Sequence, residues 1–115
     1  MYTKNYSVPV ELNKAIDMII ECTVSTRFTV RIPKLIREIL SISPGDLVNV
    51  GFSNNQEALL ISKAIHDTID NKIIVSKSNI ITIPVELRRY LNIKRGDQFK
   101  IYNINNRIMV LMKKK

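Results

Sequence analysis

The chain is short of the residues from which hydrolytic and metal-dependent sites are built. Its 115 residues include one His, one Cys, three Gly and no Trp. A lone Cys excludes an internal disulfide and fits a reducing compartment. His66 and Cys22 are too few to complete a structural zinc site within the chain. They read as a surface or packing His in a linker, and as a small apolar residue in a strand opposite Ile73. Three glycines make no phosphate-cradling loop, and the acidic residues show no paired spacing. No apolar run approaches the roughly 20 residues that cross a bilayer. The opening MYTKNYSVPVEL lacks the apolar stretch of a signal peptide, so a cytoplasmic location is the default. Catalysis, cofactor, metal and small-molecule substrate are all left without support. The expectation is a non-enzymatic binding protein with no membrane partner.

Negative charge is scarce as well. Ten acidic residues stand against 18 basic ones, for a net charge of +8 and a pI near 9.8. The excess is uneven: residues 1–63 hold 7 basic and 6 acidic groups, and residues 64–115 hold 11 and 4. A basic balance of this kind suits a polyanion, most often nucleic acid. From charge alone, a basic solubilising surface is an equal alternative, and Lys113, Lys114 and Lys115 at the C-terminal tail inflate the second figure.

What the chain does contain is a repeat. TVSTRFTVRIPKLIREILSISPGDLVNV, from Thr23, is matched by IVSKSNIITIPVELRRYLNIKRGDQFKI, from Ile74. Ser25/Ser76, Ile32/Ile83, Pro33/Pro84, Arg37/Arg88, Leu40/Leu91, Gly45/Gly96 and Asp46/Asp97 pair at one offset of 51. Two such units are too few for a solenoid and each is too small to bury a core alone, so they are expected to fold into each other.

Each unit has the same grammar. A strand (Ile19–Val24 or Lys72–Val75) leads into a polar turn. A second strand alternates, with Phe28, Val30, Ile32, Ile81 and Ile83 inward and Thr29, Arg31, Ile80 and Thr82 outward. Pro33 and Pro84 end these strands and open short helices, Lys34–Leu40 and Val85–Leu91. Ile36, Ile39 and Leu40, and likewise Leu87, Tyr90 and Leu91, form one apolar stripe each. Ser41 and Asn92 stop the helices, Gly45 and Gly96 allow tight turns, and hairpins Leu47–Ser62 and Phe99–Met112 close the units. The organisation is an N-terminal extension at 1–18, a first unit at 19–63, a linker at 64–71 and a second unit at 72–115. In the extension, Leu12, Ile16 and Ile19 suit one face of a helix packed across an open end of the domain.

These residues resemble the SpoVT/AbrB-like (AbrB/MazE) swapped-hairpin domain of bacterial and archaeal transition-state regulators and antitoxins, whose strings run SKGQITIP, EIRELLGI and GD. The likeness covers about 19–63 and 72–113. It implies a mainly β fold with short helices (β+α): a swapped-hairpin β-barrel formed as an intrachain pseudo-dimer of two strand-strand-helix-strand-strand repeats.

The resemblance also implies double-stranded DNA binding and transcriptional regulation. Arg88 and Arg89 fall on the family's helix-start arginines. Arg37 matches the first of these in the other unit, where Glu38 replaces the second. The VRIP string matches the MazE-type pattern and nominates Arg31, opposite which Thr82 is the commoner residue. Arg27 and Lys77 fall in the turns, and Lys34 adds a further cation at a helix start. Arg is suited to the task because its planar fork matches phosphate oxygens and the guanine edge. The alternative for these cations is a solvated face, or pairing with Glu38 and Glu86. Phe28 and Asn79 stand where the family has a turn glycine, and Phe28 is expected to give its turn a different shape. Two rival functions remain: an antitoxin or other protein-interaction module, disfavoured because the repeat runs to the last residues, and an assembly protein that oligomerises further.

Overall fold

A computed structural model describes residues 7–8, 10–53, 58–64 and 72–114. The loop around 53–56, His66 in the linker and Lys115 in the tail therefore fall wholly or partly outside the described residues. Along the chain come β1 (Ser7–Val8), a 3-10 turn (Leu12–Lys14), β2 (Ile16–Thr23), β3 (Thr29–Arg31), α1 (Lys34–Leu40), β4 (Leu47–Ser53) and β5 (Ala58–Lys63). They are followed by β6 (Lys72–Ile74), β7 (Ile80–Thr82), α2 (Val85–Tyr90), β8 (Gln98–Ile104) and β9 (Ile108–Lys113). The described residues are mainly β with two short α-helices. No helix among the described residues is long and apolar enough to cross a membrane.

Seven strands form one sheet and two form a separate ribbon. The sheet runs β6–β4–β5–β9–β8–β2, with β1 also on β4, and β3 pairs with β7 alone. The expected barrel is thus an open sheet plus a ribbon, without a closed ladder. The reason is local: pairing of β2 and β6 ends at Thr23 and Ile74, polar turns then reverse the chain, and Pro33 and Pro84 stop the ribbon strands after three residues.

The first strand of each half pairs with the hairpin of the other half. β2 lies on β8 and β6 lies on β4. Cys22 consequently faces Phe99 and Ile73 faces Val48, so the expected Cys22–Ile73 pair does not form. Bonds at the crossings recur at the offset of 51. Val24 N–H donates to Asp97 O and Val75 N–H to Asp46 O; Gly96 N–H donates to Val24 O and Gly45 N–H to Val75 O. Where like meets like, Val30 pairs with Ile81 in the ribbon and Leu60 with Val110 between the hairpins.

The main core lies between ribbon, helices and sheet. Val30, Ile32, Ile36, Ile81, Ile83, Leu87, Ile101 and Leu111 are almost fully buried within it. Tyr90 departs from the expected helical stripe: it is 59% exposed and stacks on Phe52, ring centroids 5.1 Å apart. Ser41 and Asn92 take left-handed φ values of 55° and 51°, and lysines from the last strands of the hairpins cap the helix ends. Lys63 Nζ donates to Ser41 O at 2.9 Å and Lys113 Nζ to Asn92 O at 2.8 Å.

The N-terminal extension covers a second apolar cluster. Val10, Leu12 and Ala15 pack against Ala58, Leu60, Ile104 and Val110. Its helix is only the 3-10 turn, and the expected helical face of Leu12, Ile16 and Ile19 is not formed. Residues 16–23 are instead a strand with Met18, Ile20 and Cys22 turned inward, the alternation that β-branched residues favour. Between Asp17 and Ile20 the register shifts; Ile19 is 90% exposed with φ 56°, its N–H held by Asp17 Oδ1 at 2.8 Å.

Candidate nucleic-acid interface

Serine builds both turns of the ribbon. Ser25 Oγ accepts from the N–H groups of Arg27 and Thr29 at 3.2 and 3.0 Å, and Ser76 Oγ accepts from those of Ser78 and Ile80 at 3.2 and 3.1 Å. Phe28 N–H closes on Ser25 O, and Asn79 N–H on Ser76 O, both at 3.0 Å. Phe28 has φ 58° and Asn79 φ 62°. The two turns therefore share one shape, which corrects the expectation that Phe28 reshapes its own. Asn adopts this conformation readily; for Phe it costs about 1 kcal/mol.

Antiparallel pairing then assigns each turn to the helix of the opposite half. Ile83 N–H donates to Phe28 O and Ile32 N–H to Asn79 O, both at 2.9 Å. The turn carrying Arg27 therefore lies beside α2, whose last turn holds Arg88 and Arg89. The turn carrying Lys77 lies beside α1, which opens with Lys34 and holds Arg37 in its last turn. Arg31 is exposed on the outward face of the ribbon, opposite Ile80 and so toward the Lys77 end; Thr82 lies opposite Thr29. All seven sequence-nominated cations thus sit around one short ribbon. Arg27, Arg31, Lys34, Lys77 and Arg89 are exposed, while Arg37 and Arg88 are half-buried.

An eighth cation escaped the sequence reading. Arg95, in the KRGD turn, donates from Nε to Thr26 O at 2.8 Å, and its guanidinium lies 5.0 Å from the centre of the Phe28 ring. Arg88 covers the same ring at 4.1 Å. The signal was the exchange of first strands, which brings Gly96 against Val24 and its neighbour Arg95 to the opposite half's turn. At the other end the equivalents are Asn79, Arg37 and Pro44, so neither ring nor second arginine is present. There Arg37 Nε donates to Ile32 O at 3.1 Å, whereas the buried Arg88 Nε finds no acceptor among the described residues.

Ion pairing lies away from the ribbon. Among the described residues, every ion pair is made by a lysine: Lys14–Glu11, Lys63–Asp46, Lys100–Asp17, Lys113–Asp97 and Lys114–Glu21. None of the eight cations around the ribbon is in such a pair, and Glu38 and Glu86 neutralise none of them. The Ile19 N–H bond, reinforced by Lys100, holds Asp17 below the usual carboxylate value. That pair lies on β2 and β8, in the sheet and outside the ribbon.

Residues 71–115 match the family described as antidote-toxin recognition MazE, bacterial antitoxin. A solution structure of PHS018 from Pyrococcus horikoshii aligns at 22% identity, covering 84% of this chain and 90% of that one, with a TM-score of 0.47. No curated protein matches the chain.

Proposed function

We propose that the chain is a transcriptional regulator that binds double-stranded DNA through the β3–β7 ribbon and the cations of both short helices, without catalysis or cofactor. In this reading residues 19–63 and 72–115 are two AbrB/MazE-type units joined as a single-chain pseudo-dimer with exchanged hairpins, located in the cytoplasm. The MazE-type match supports the second unit. The bonds that recur at the offset of 51 support the first.

The observation that carries the proposal is the gathering of cations from both halves around one ribbon, free of carboxylate partners among the described residues. Three-residue strands span about 10 Å, and the major groove, about 12 Å wide, admits a two-stranded ribbon. The outward face of the ribbon, with Thr29, Arg31 and Thr82, then enters the groove, and the turn and helix cations at either end come within reach of phosphates and of base edges. Occlusion or bending of promoter DNA follows from such docking.

A shift titration with duplex DNA at several salt concentrations tests this. Affinity should fall steeply as salt rises, because bound cations release condensed counterions. Arg88→Ala with Arg89→Ala should weaken binding by about 10-fold or more. A parent that leaves duplex unshifted at about 50 mM salt defeats the proposal. That outcome favours the second reading, a toxin-binding partner, which the description of the MazE family supports.

A further inference from the structure

The ribbon's ends carry similar charge and different hardware. One end has Arg27, Arg88, Arg89 and Arg95, with Glu86 on the same helix; the other has Arg31, Lys34, Arg37 and Lys77, with Glu38. At the first, two guanidiniums lie 4.1 and 5.0 Å from the centre of the Phe28 ring, and Arg95 is tied to Thr26 O. These arginines are held before any partner arrives, so little side-chain freedom is lost on binding. At the second end two of the four cations are lysines, flexible point charges that suit phosphate better than a base edge. Four twofold-related positions differ: Phe28 against Asn79, Arg95 against Pro44, Arg89 against Glu38, Arg31 against Thr82.

We infer that the chain binds a non-palindromic duplex site in a single orientation, with the Phe28-braced arginine end over a guanine-containing half and the lysine-bearing end on a half held mainly through phosphates. The inference rests on the DNA-binding reading above and goes beyond it by giving the site a direction. Phe28 is a positioning residue here: it acts by holding Arg88 and Arg95. The preference for guanine follows from the bidentate match of a fixed guanidinium to its O6 and N7.

Selection from a pool of random-sequence duplexes by the full chain is the test. The parent should enrich a motif without twofold symmetry, one half rich in guanine and more tightly specified. Phe28→Asn with Arg95→Ala should lose sequence preference in that half alone and keep the other half; Phe28→Tyr, which retains a ring, should preserve the parent motif. Thermal unfolding of each variant shows that it is folded, and Asn is already the residue in the equivalent turn. A palindromic motif from the parent, or loss of preference spread evenly over both halves, overturns the directional inference while leaving DNA binding intact. Absence of any enrichment, with no shift of bulk duplex at low salt, overturns both.

Discussion

The guanidinium of Arg88 lies 4.1 Å from the centre of the Phe28 ring, joining a helix of the second half to a turn of the first. Phe28 has φ 58°, a conformation that disfavours a bulky side chain. The ring's partial burial against the core and its contact with two guanidiniums offset that cost, since a cation over an aromatic face contributes about 0.5–2 kcal/mol. The same contact fixes where Arg88 points.

Phe28→Ala should therefore destabilise the fold by about 2 kcal/mol, through lost packing and lost cation–aromatic contact at an unrelieved backbone. Phe28→Asn should cost less, because Asn tolerates the left-handed turn. Urea denaturation of both variants beside the parent gives the comparison; an Ala variant more stable than the Asn one contradicts this account.

Exposure should separate the apolar residues sharply. Ile83 is fully buried in the main core, and Ile83→Ala should cost about 2–5 kcal/mol. Ile74 on the edge strand β6 is 63% exposed, and Ile74→Ala should change stability by about 0.5 kcal/mol or less. Midpoints of urea unfolding read both.

Much of the fold was legible in the sequence because it is written locally. The Ile-Pro steps marked where the ribbon ends and the helices begin, Gly45 and Gly96 marked the tight turns, and alternation marked which side of β3 and β7 is buried. Partners across the fold were less legible. Cys22 opposite Phe99 depends on first strands reaching the other half's hairpin, and no local pattern reports which strand lies alongside. The N-terminal segment was misread because Leu12, Ile16 and Ile19 fit a helical spacing, while Met18, Ile20 and Cys22 fit a strand; burial decided for the strand. At the candidate site, the cations in the turns and on the helices could be named from the sequence. Arg95 could not, since its approach to Thr26 spans 69 residues. Phe28 was read as a disturbance of its turn, and its part in holding Arg88 depends on a contact between halves.

Acid should weaken the fold partly through Asp97. Its carboxylate accepts the Lys94 N–H at 2.7 Å and pairs with Lys113 at 3.1 Å, which hold its pKa below the ordinary 3.8. Folding thus favours the ionised form. The contribution is complete above the unfolded value and is lost as pH falls through 3.8 and below. Asp97→Asn should flatten the acid side of the stability profile relative to the parent, as read by urea midpoints between about pH 2 and 6.

The Cys22 thiol should be slow to react. Burial pushes it up to about 11 from an ordinary 9.0, leaving on the order of 100-fold less thiolate at pH 8 than in an unfolded chain. Iodoacetamide labelling followed by mass spectrometry should be correspondingly slower in buffer than in urea. Equal rates contradict the packed placement of Cys22 against Phe99.

The central claim is that DNA docks on the ribbon and both short helices, and backbone amide shifts recorded during titration with duplex DNA test it most directly. The expected result is a set of perturbations confined to residues 25–31 and 76–82, helices α1 and α2, and Arg95, growing weaker as salt is raised. Perturbations centred on β5 and β9, with the ribbon unchanged, would contradict it.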